Sequence, residues 1–324
     1  MLALWLENQK METRGVPRPN GAKEALVRIR KAGICSTDLE LVKGYYPFTG
    51  ILGHEFVGEV ISLTSRPSPT GRGDGLMVGD RVVGEINAAC GTCEQCRGGR
   101  PTHCENRTVL GITNRDGAFA EYTTLPVENL HRVPDSVTDE QAVFTEPLAA
   151  ALEIQQQIQI RPADRVLLIG AGRLGQLIAQ TLALTGCGLR VLARHVLQQK
   201  LLAERGIRWI AEDEIQPRRW DIVVEATGSS SGFDLARKAI RPRGTLVMKS
   251  TYKGDMTVNF SSIVVDELTI LGSRCGPFEP ALRLLEKGEI DPTVLIAKRF
   301  KLSEAVKAFE EAAKPGMLKV LIEP

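Results

Sequence analysis

The chain has 324 residues, with 41 Lys or Arg against 39 Asp or Glu and a formal net charge of +2. That length holds two domains and a large core, and the interspersed charges argue against a nucleic-acid or anionic-membrane surface. No stretch of the sequence reaches the length of a membrane span. The opening Met1-Leu2-Ala3-Leu4-Trp5-Leu6-Glu7 has no basic leader and too short an apolar run for a secretion signal. Seven cysteines, four of them in one cluster, suit a reducing compartment, so a cytoplasmic protein is expected.

The first part of the chain reads as β-rich. Val27 and Ile29 alternate with Arg28 and Arg30, the period of a strand with one buried face. Phe56 to Ile61 and Arg81 to Val83 are short β-type runs bounded by glycine. Between them, Arg66 to Gly75 is dense in Pro, Ser and Gly and is expected to be a mobile surface loop. Next comes Cys90-Gly91-Thr92-Cys93-Glu94-Gln95-Cys96, with Cys104 eight positions on, in a loop that also holds Gly98 and Gly99. Four thiolates so spaced can close around one tetrahedral Zn²⁺ with no other ligand, which marks a structural site. The tight spacing favours that reading over two disulfides or four unrelated thiols. Thr138-Asp139-Glu140-Gln141 has the form of a capping box opening a helix through Ala142, Val143 and Phe144.

From Arg165 the pattern changes to strand–helix alternation. Val166-Leu167-Leu168-Ile169 is a continuous apolar run, as in a strand buried on both faces, and Leu174, Leu177, Ile178 and Leu182 then repeat at helical spacing. Arg190 to Ala193, Ile222 to Glu225, Thr245 to Met248 and Leu268 to Leu271 are further strands, so a doubly wound α/β sheet is expected. Two amphipathic helices follow Gly276, near Glu279 to Glu286 and Ser303 to Ala313, with a closing strand from Leu318 to Ile322.

Gly170-Ala171-Gly172-Arg173-Leu174-Gly175 directly follows the buried strand and opens the helix. In that setting the glycines let backbone approach a pyrophosphate held at the helix N-terminus. Roughly twenty residues on, NAD enzymes place a carboxylate that binds the adenosine ribose. Here the second strand ends Arg190-Val191-Leu192-Ala193-Arg194-His195, with no carboxylate. An Arg in that place can receive a 2′-phosphate. NADP preference is therefore expected, with Arg194 as the main contact and His195 assisting; NAD use, with Arg194 a solvated surface charge, is the alternative.

A second cluster of chemistry-bearing residues is scattered along the chain. Cys35-Ser36-Thr37-Asp38, Gly53-His54-Glu55 and Glu146-Pro147-Leu148-Ala149 together offer one soft, one borderline and two hard ligands. That mixed set suits a catalytic Zn²⁺ with an exchangeable position.

With these residues in view, the chain resembles a zinc-dependent medium-chain dehydrogenase of the alcohol, sorbitol and threonine dehydrogenase group. The likeness runs through the Gly-His-Glu segment, the four-Cys lobe, Gly79-Asp80-Arg81-Val82, Thr145-Glu146-Pro147-Leu148, the glycine fingerprint and Glu225-Ala226-Thr227-Gly228. It implies an α/β protein: a GroES-like β-rich catalytic domain over residues 1–146, a Rossmann domain over 147–275, and a return to the catalytic domain over 276–324. The resemblance also implies two Zn²⁺ per chain, the structural ion on Cys90, Cys93, Cys96 and Cys104. Cys35 and His54 would ligate the catalytic ion, with Glu55 and Glu146 completing or flanking the sphere. Thr37 would hydrogen-bond the substrate oxygen and pass its proton on, and Asp38 would orient His54. Thr227 and Arg274 join the cofactor contacts.

The implied reaction is hydride transfer between an alcohol or polyol, or its carbonyl, and a nicotinamide cofactor, in a homodimer or homotetramer without nucleic-acid or membrane partners. An NAD-linked sorbitol- or threonine-type dehydrogenase is the alternative enzyme, and a non-catalytic nucleotide-binding scaffold or redox sensor the alternative of another class. Threonine-type relatives carry a His five residues after the zinc Cys; here that position is Glu40. Either Glu40 accepts the proton instead, or the relay runs through water and cofactor ribose. Tyr45-Tyr46-Pro47-Phe48 either lines the substrate pocket or packs ordinarily. Cys187 and Cys275 are expected to be core thiols and His131 a structural side chain.

Overall fold

The computed structural model describes residues 1–21, 24–63, 75–251 and 255–324; the Arg66 to Gly75 loop lies outside them save for Gly75. The chain divides into two compact units, Met1–Glu146 with Phe278–Pro324, and Pro147–Pro277. Among the described residues, no helix is long and apolar enough to cross a membrane.

The first unit is built on a mostly antiparallel sheet, in which Ile296–Lys301 and Lys319–Glu323 pair in parallel. Ala25–Gly33 is its central strand, and its Val27 and Ile29 are buried while Arg28 and Arg30 face solvent, as the alternation predicts. It pairs with Glu55–Ser62 on one side, where Gly33 stands opposite Glu55. It also pairs with Tyr122–Leu125 and with the closing strand Lys319–Glu323, where Leu321 stands opposite Gly33. Arg81–Gly84 and Leu130–Arg132 extend the sheet beyond Glu55–Ser62, and Ile296–Lys301 extends it beyond the closing strand. The last segment of the chain therefore supplies two strands to a sheet begun by the first. A smaller sheet joins Leu2–Glu7 to Lys10–Gly15 and Gly50–Ile51.

The expected capping box is formed: Gln141 N donates to Thr138 Oγ1 at 3.2 Å and Thr138 N donates to Gln141 Oε1 at 2.9 Å. The helix it opens is shorter than expected, Asp139–Ala142, and a second helix, Thr145–Gln157, begins where Thr145 Oγ1 donates to Ala142 O at 2.7 Å. That hydroxyl bond closes a turn rather than extending the first helix.

The second unit is a six-stranded, wholly parallel sheet. Its order is Trp209–Ile210, Gly188–Leu192, Arg165–Ile169, Trp220–Glu225, Ile240–Met248 and Thr269–Gly272. This is the doubly wound order whose crevice lies beyond the carboxyl ends of the central strands. Val166, Leu167, Leu168 and Ile169 have no exposed surface, which explains their unbroken apolar run. Asp221 ties three neighbouring strands at one end, accepting from Arg165 N at 2.8 Å and Arg241 Nε at 2.6 Å. Cys187 and Cys275 are half-buried, not core thiols as expected. Each sits in a turn or at a strand exit, where packing is incomplete.

Candidate metal centre and dinucleotide site

Cys35 ends the run Ala32-Gly33-Ile34 out of the central strand and caps the short helix Ser36–Val42. Asp38, fully buried in the first turn, reaches back so that its Oδ2 accepts from Cys35 N at 2.8 Å. That bond satisfies an otherwise orphaned N–H and anchors the Cys35 backbone at the start of the helix. The other oxygen of Asp38 lies 3.1 Å from His54 Nδ1, and neither atom has another hydrogen-bond partner. Facing Asp38 through Nδ1, the imidazole keeps Nε2 for a ligand. Burial opposes charge on His54, but Asp38 and the Cys35 sulfur outweigh it and hold the ring's pKa well above its ordinary value.

The loop carrying His54 is held from beneath. Gly53 has φ +98°, and a methyl group there would come within 2.8 Å of the Phe119 ring. Phe119 packs edge-on against Phe309 of the helix Ala305–Ala312, with centroids 5.5 Å apart. Glycine is thus required at position 53 both by backbone conformation and by ring packing.

One ligand atom each from Cys35, His54 and Glu55 lies within 4.8 Å of the other two. A thiolate, an imidazole freed at Nε2 and a buried carboxylate form a donor set that fits zinc and leaves a coordination position open. Glu146, half-buried in the first turn of Thr145–Gln157, is not in that trio. Thr37 Oγ1 lies 3.8 Å from Cys35 Sγ. Glu40 accepts from Lys43 at 2.7 Å on the helix surface, so its carboxylate is engaged in a local ion pair.

A side chain not singled out in the sequence completes this region. Lys319 is 2% exposed and its Nζ donates to Glu55 Oε2, itself on a residue 1% exposed, and to Ile34 O at 3.3 Å. The signal was a lone lysine among Leu318, Val320, Leu321 and Ile322, where a solvated charge has no place.

The four-cysteine lobe is also assembled. The sulfurs of Cys90, Cys93, Cys96 and Cys104 all lie within 4.8 Å of one another. Cys93 Sγ is 3.5 Å from Cys96 Sγ and 3.8 Å from Cys104 Sγ. Sulfurs bound tetrahedrally to one zinc stand about 3.8 Å apart, whereas a disulfide needs about 2.0 Å. The donors fit a single ion. Backbone N–H groups already point at these sulfurs: Thr92 N donates to Cys90 at 3.5 Å and Cys90 N to Cys104 at 3.3 Å. The Thr92 amide and hydroxyl lower the Cys90 pKa to about 5, while burial and neighbouring thiols push Cys96 up to about 12. The uneven split is that of crowded thiols sharing protons that a cation would displace. His131, as expected, plays another part, with Nε2 2.9 Å from Glu85 and its ring stacked on Phe278.

In the second unit the three glycines have separate tasks. Gly170 has φ +106° and lies against Ala226 O, while a methyl on Gly175 would meet Gly170 O at 2.0 Å. A methyl on Gly172, the N-cap of Arg173–Ala183, would meet nothing within 4 Å. Two glycines therefore serve the turn and helix packing, and the third leaves open space at a helix N-terminus, where a diphosphate fits. Arg173 and Leu174 form the first turn of that helix, both half-buried. Arg194 and His195 are exposed after the second strand, and Arg194 Nη2 donates to Glu212 at 2.8 Å. Thr227 N donates to the buried carboxylate of Glu225 at 2.6 Å. Exposed Arg274 lies at the exit of the last strand, with Nη1 3.1 Å from Cys275 Sγ. Sequence reasoning missed Glu212, which carries no local motif.

Residues 21–135 match the family model described as the alcohol dehydrogenase GroES-like domain. A sorbitol dehydrogenase of Halalkalibacterium halodurans is 30% identical, covering 95% of this chain and 94% of that protein. A D-arabinitol dehydrogenase of Uromyces fabae is also 30% identical, covering 93% and 90%. Among solved structures, one described as a zinc-binding dehydrogenase from Sinorhizobium meliloti 1021 bound to NADP superposes with a TM-score of 0.89. It is 28% identical and the match covers 100% of this chain and 99% of that one. Fold, donor sets and full-length similarity agree: the chain belongs to the zinc-type medium-chain dehydrogenases.

Proposed function

We propose that the chain is an NADP-preferring, zinc-dependent dehydrogenase that interconverts an alcohol or polyol with its carbonyl, working as a cytoplasmic homodimer or homotetramer. The convergence of Cys35, His54 and Glu55 carries this reading, because a scaffold needs no open metal coordination. Zinc there supplies a Lewis acid that polarises the substrate oxygen, and the nicotinamide gives or takes the hydride. Cys35 and His54 are the metal's fixed ligands. Asp38 sets the imidazole tautomer by standing against Nδ1. Glu55 and Glu146 are the candidate carboxylates, of which Glu55 is grouped with the thiolate and imidazole. Thr37 takes the alcohol proton at Oγ1 and passes it on; Glu40, paired with Lys43, is poorly placed to replace it. The four-cysteine lobe holds a second, structural zinc.

On the cofactor side, Gly170, Gly172, Arg173, Leu174 and Gly175 receive the diphosphate, with Thr227 and Arg274 as further contacts. Arg194, helped by His195, takes the 2′-phosphate. Support comes from the exposed guanidinium at the strand end and the NADP bound in a relative of closely similar fold. One observation favours the NAD-linked alternative: Arg194 is already paired with Glu212.

Metal analysis and steady-state kinetics test the reading together. The expected results are two zinc ions per chain, higher kcat/KM with NADP(H) than NAD(H), and a selective loss with NADP(H) in Arg194→Ala. Cys35→Ala should abolish turnover while retaining cofactor binding. Normal turnover in metal-free Cys35→Ala would sink the zinc mechanism, and equal use of both cofactors would sink the NADP preference.

A further inference from the structure

A buried carboxylate beside a candidate dication already has a cation of its own. Lys319 Nζ donates to Glu55 Oε2 and to Ile34 O, the latter at 3.3 Å, and stands 5.6 Å from the centre of the Phe144 ring. With 2% of its surface exposed, the side chain is shut away from solvent. Carboxylate, carbonyl and ring face together occupy the ammonium and fix its position. The backbone leaves room for the pair by design. Gly33 stands opposite Glu55 in the strand register, and a methyl group there would lie 2.7 Å from Glu55 Oε2 and 3.2 Å from Lys319 Cδ.

We propose that Lys319 is a positioning residue that competes with the metal for Glu55, weakening that carboxylate as a ligand so that the ion is held less tightly than Cys35, His54 and an unshared Glu55 would hold it. The inference rests on the reading that Cys35 and His54 hold a metal. Two physical consequences follow. With no ion bound, Lys319 compensates the buried charge of Glu55, so the empty site keeps its shape. With the ion bound, a fixed positive charge opposes it in a low-dielectric surround and neutralises the nearest carboxylate. Removing the ammonium would leave Glu55 to the ion alone, which would strengthen retention. The link to Ile34 O ties the same ammonium to the residue before Cys35, so thiolate and carboxylate are set from one point.

The test follows zinc release to a chromophoric chelator from the full-length holoenzyme, with Cys35→Ala identifying which release phase belongs to this site. Lys319→Met should slow that phase by on the order of tenfold or more, and leave release from the four-cysteine lobe unchanged. Lys319→Arg should restore the wild-type rate. In a Glu55→Gln background, Lys319→Met should have little further effect, because the competed-for charge is gone; this pair also leaves no uncompensated buried charge, so it keeps the test readable if Lys319→Met alone does not fold. Unchanged or faster release in Lys319→Met, or equal slowing with and without Glu55, would overturn the proposal. A wild-type holoenzyme with no release phase lost in Cys35→Ala would instead overturn the metal-site reading beneath it.

Discussion

Asp38 shows how much one side chain of this protein does. One oxygen takes the Cys35 amide at 2.8 Å and the other faces His54 Nδ1 at 3.1 Å, so a single carboxylate contacts two candidate ligand residues. Asp38→Asn keeps the size but loses the charge and one acceptor. It is expected to lower zinc affinity about 10- to 100-fold, measured by chelator competition, with an unchanged circular dichroism spectrum. Wild-type affinity in that variant would remove Asp38 from the site. Much of this was legible in the sequence, since Cys35, Thr37 and Asp38 are adjacent and His54 and Glu55 form a motif. Lys319 was not, because its chemistry exists only where a distant strand brings it against Glu55.

At the scale of single elements, the turn between Arg165–Ile169 and Arg173–Ala183 separates structure from binding. Gly175 is closed in by Gly170 O, whereas the space beside Gly172 is empty. Gly172→Val is therefore expected to leave the thermal midpoint within about 1 °C while weakening cofactor binding at least tenfold, since the new side chain would fill the diphosphate's place. Gly175→Ala should do the reverse damage, costing about 1–3 kcal/mol through overpacking. Calorimetry and fluorescence titration with NADPH distinguish the two, and a large loss of stability in Gly172→Val would count against an open cradle. Helix and strand types along this unit could be read from apolar period, but ends could not. The capping box at Thr138 was visible, yet its helix stops at Ala142 because Thr145 turns its hydroxyl onto the backbone.

For the molecule as a whole, acid sensitivity is expected in both units: Arg299, Lys298 and Lys31 hold Glu140, Glu311 and Glu323 low in the first, and two carboxylates are held low in the Pro147–Pro277 unit. Arg218 and Arg237 hold Asp266 below the ordinary carboxylate range. Asp221 is also held low: burial works against this, but Arg165 and Arg241 prevail. A carboxyl whose folded pKa is depressed stabilises the fold fully above its unfolded pKa of about 4, and that contribution disappears as pH falls through the folded value. Stability of this unit should thus be flat near neutrality and decline below about pH 4. In Trp5→Phe, Trp209 and Trp220 are the remaining tryptophans, both in this unit, so urea midpoints from their fluorescence report it alone. A midpoint insensitive to pH between 5 and 2.5 would show that these ion pairs contribute nothing net.

What the sequence determined by itself was local or repetitive. The strand periods, the glycine fingerprint after a buried strand and the close spacing of four cysteines each act over a few residues, where chain geometry leaves few alternatives. What only the tertiary structure decided depends on pairing across long separations. Lys319 meets Glu55 across 264 positions because the closing strand lies beside Ala25–Gly33. Arg194 meets Glu212 because two parallel strands end together, and Glu146 stands apart from the trio that Glu55 joins. Such encounters arise from sheet register and burial, which no short stretch of sequence encodes.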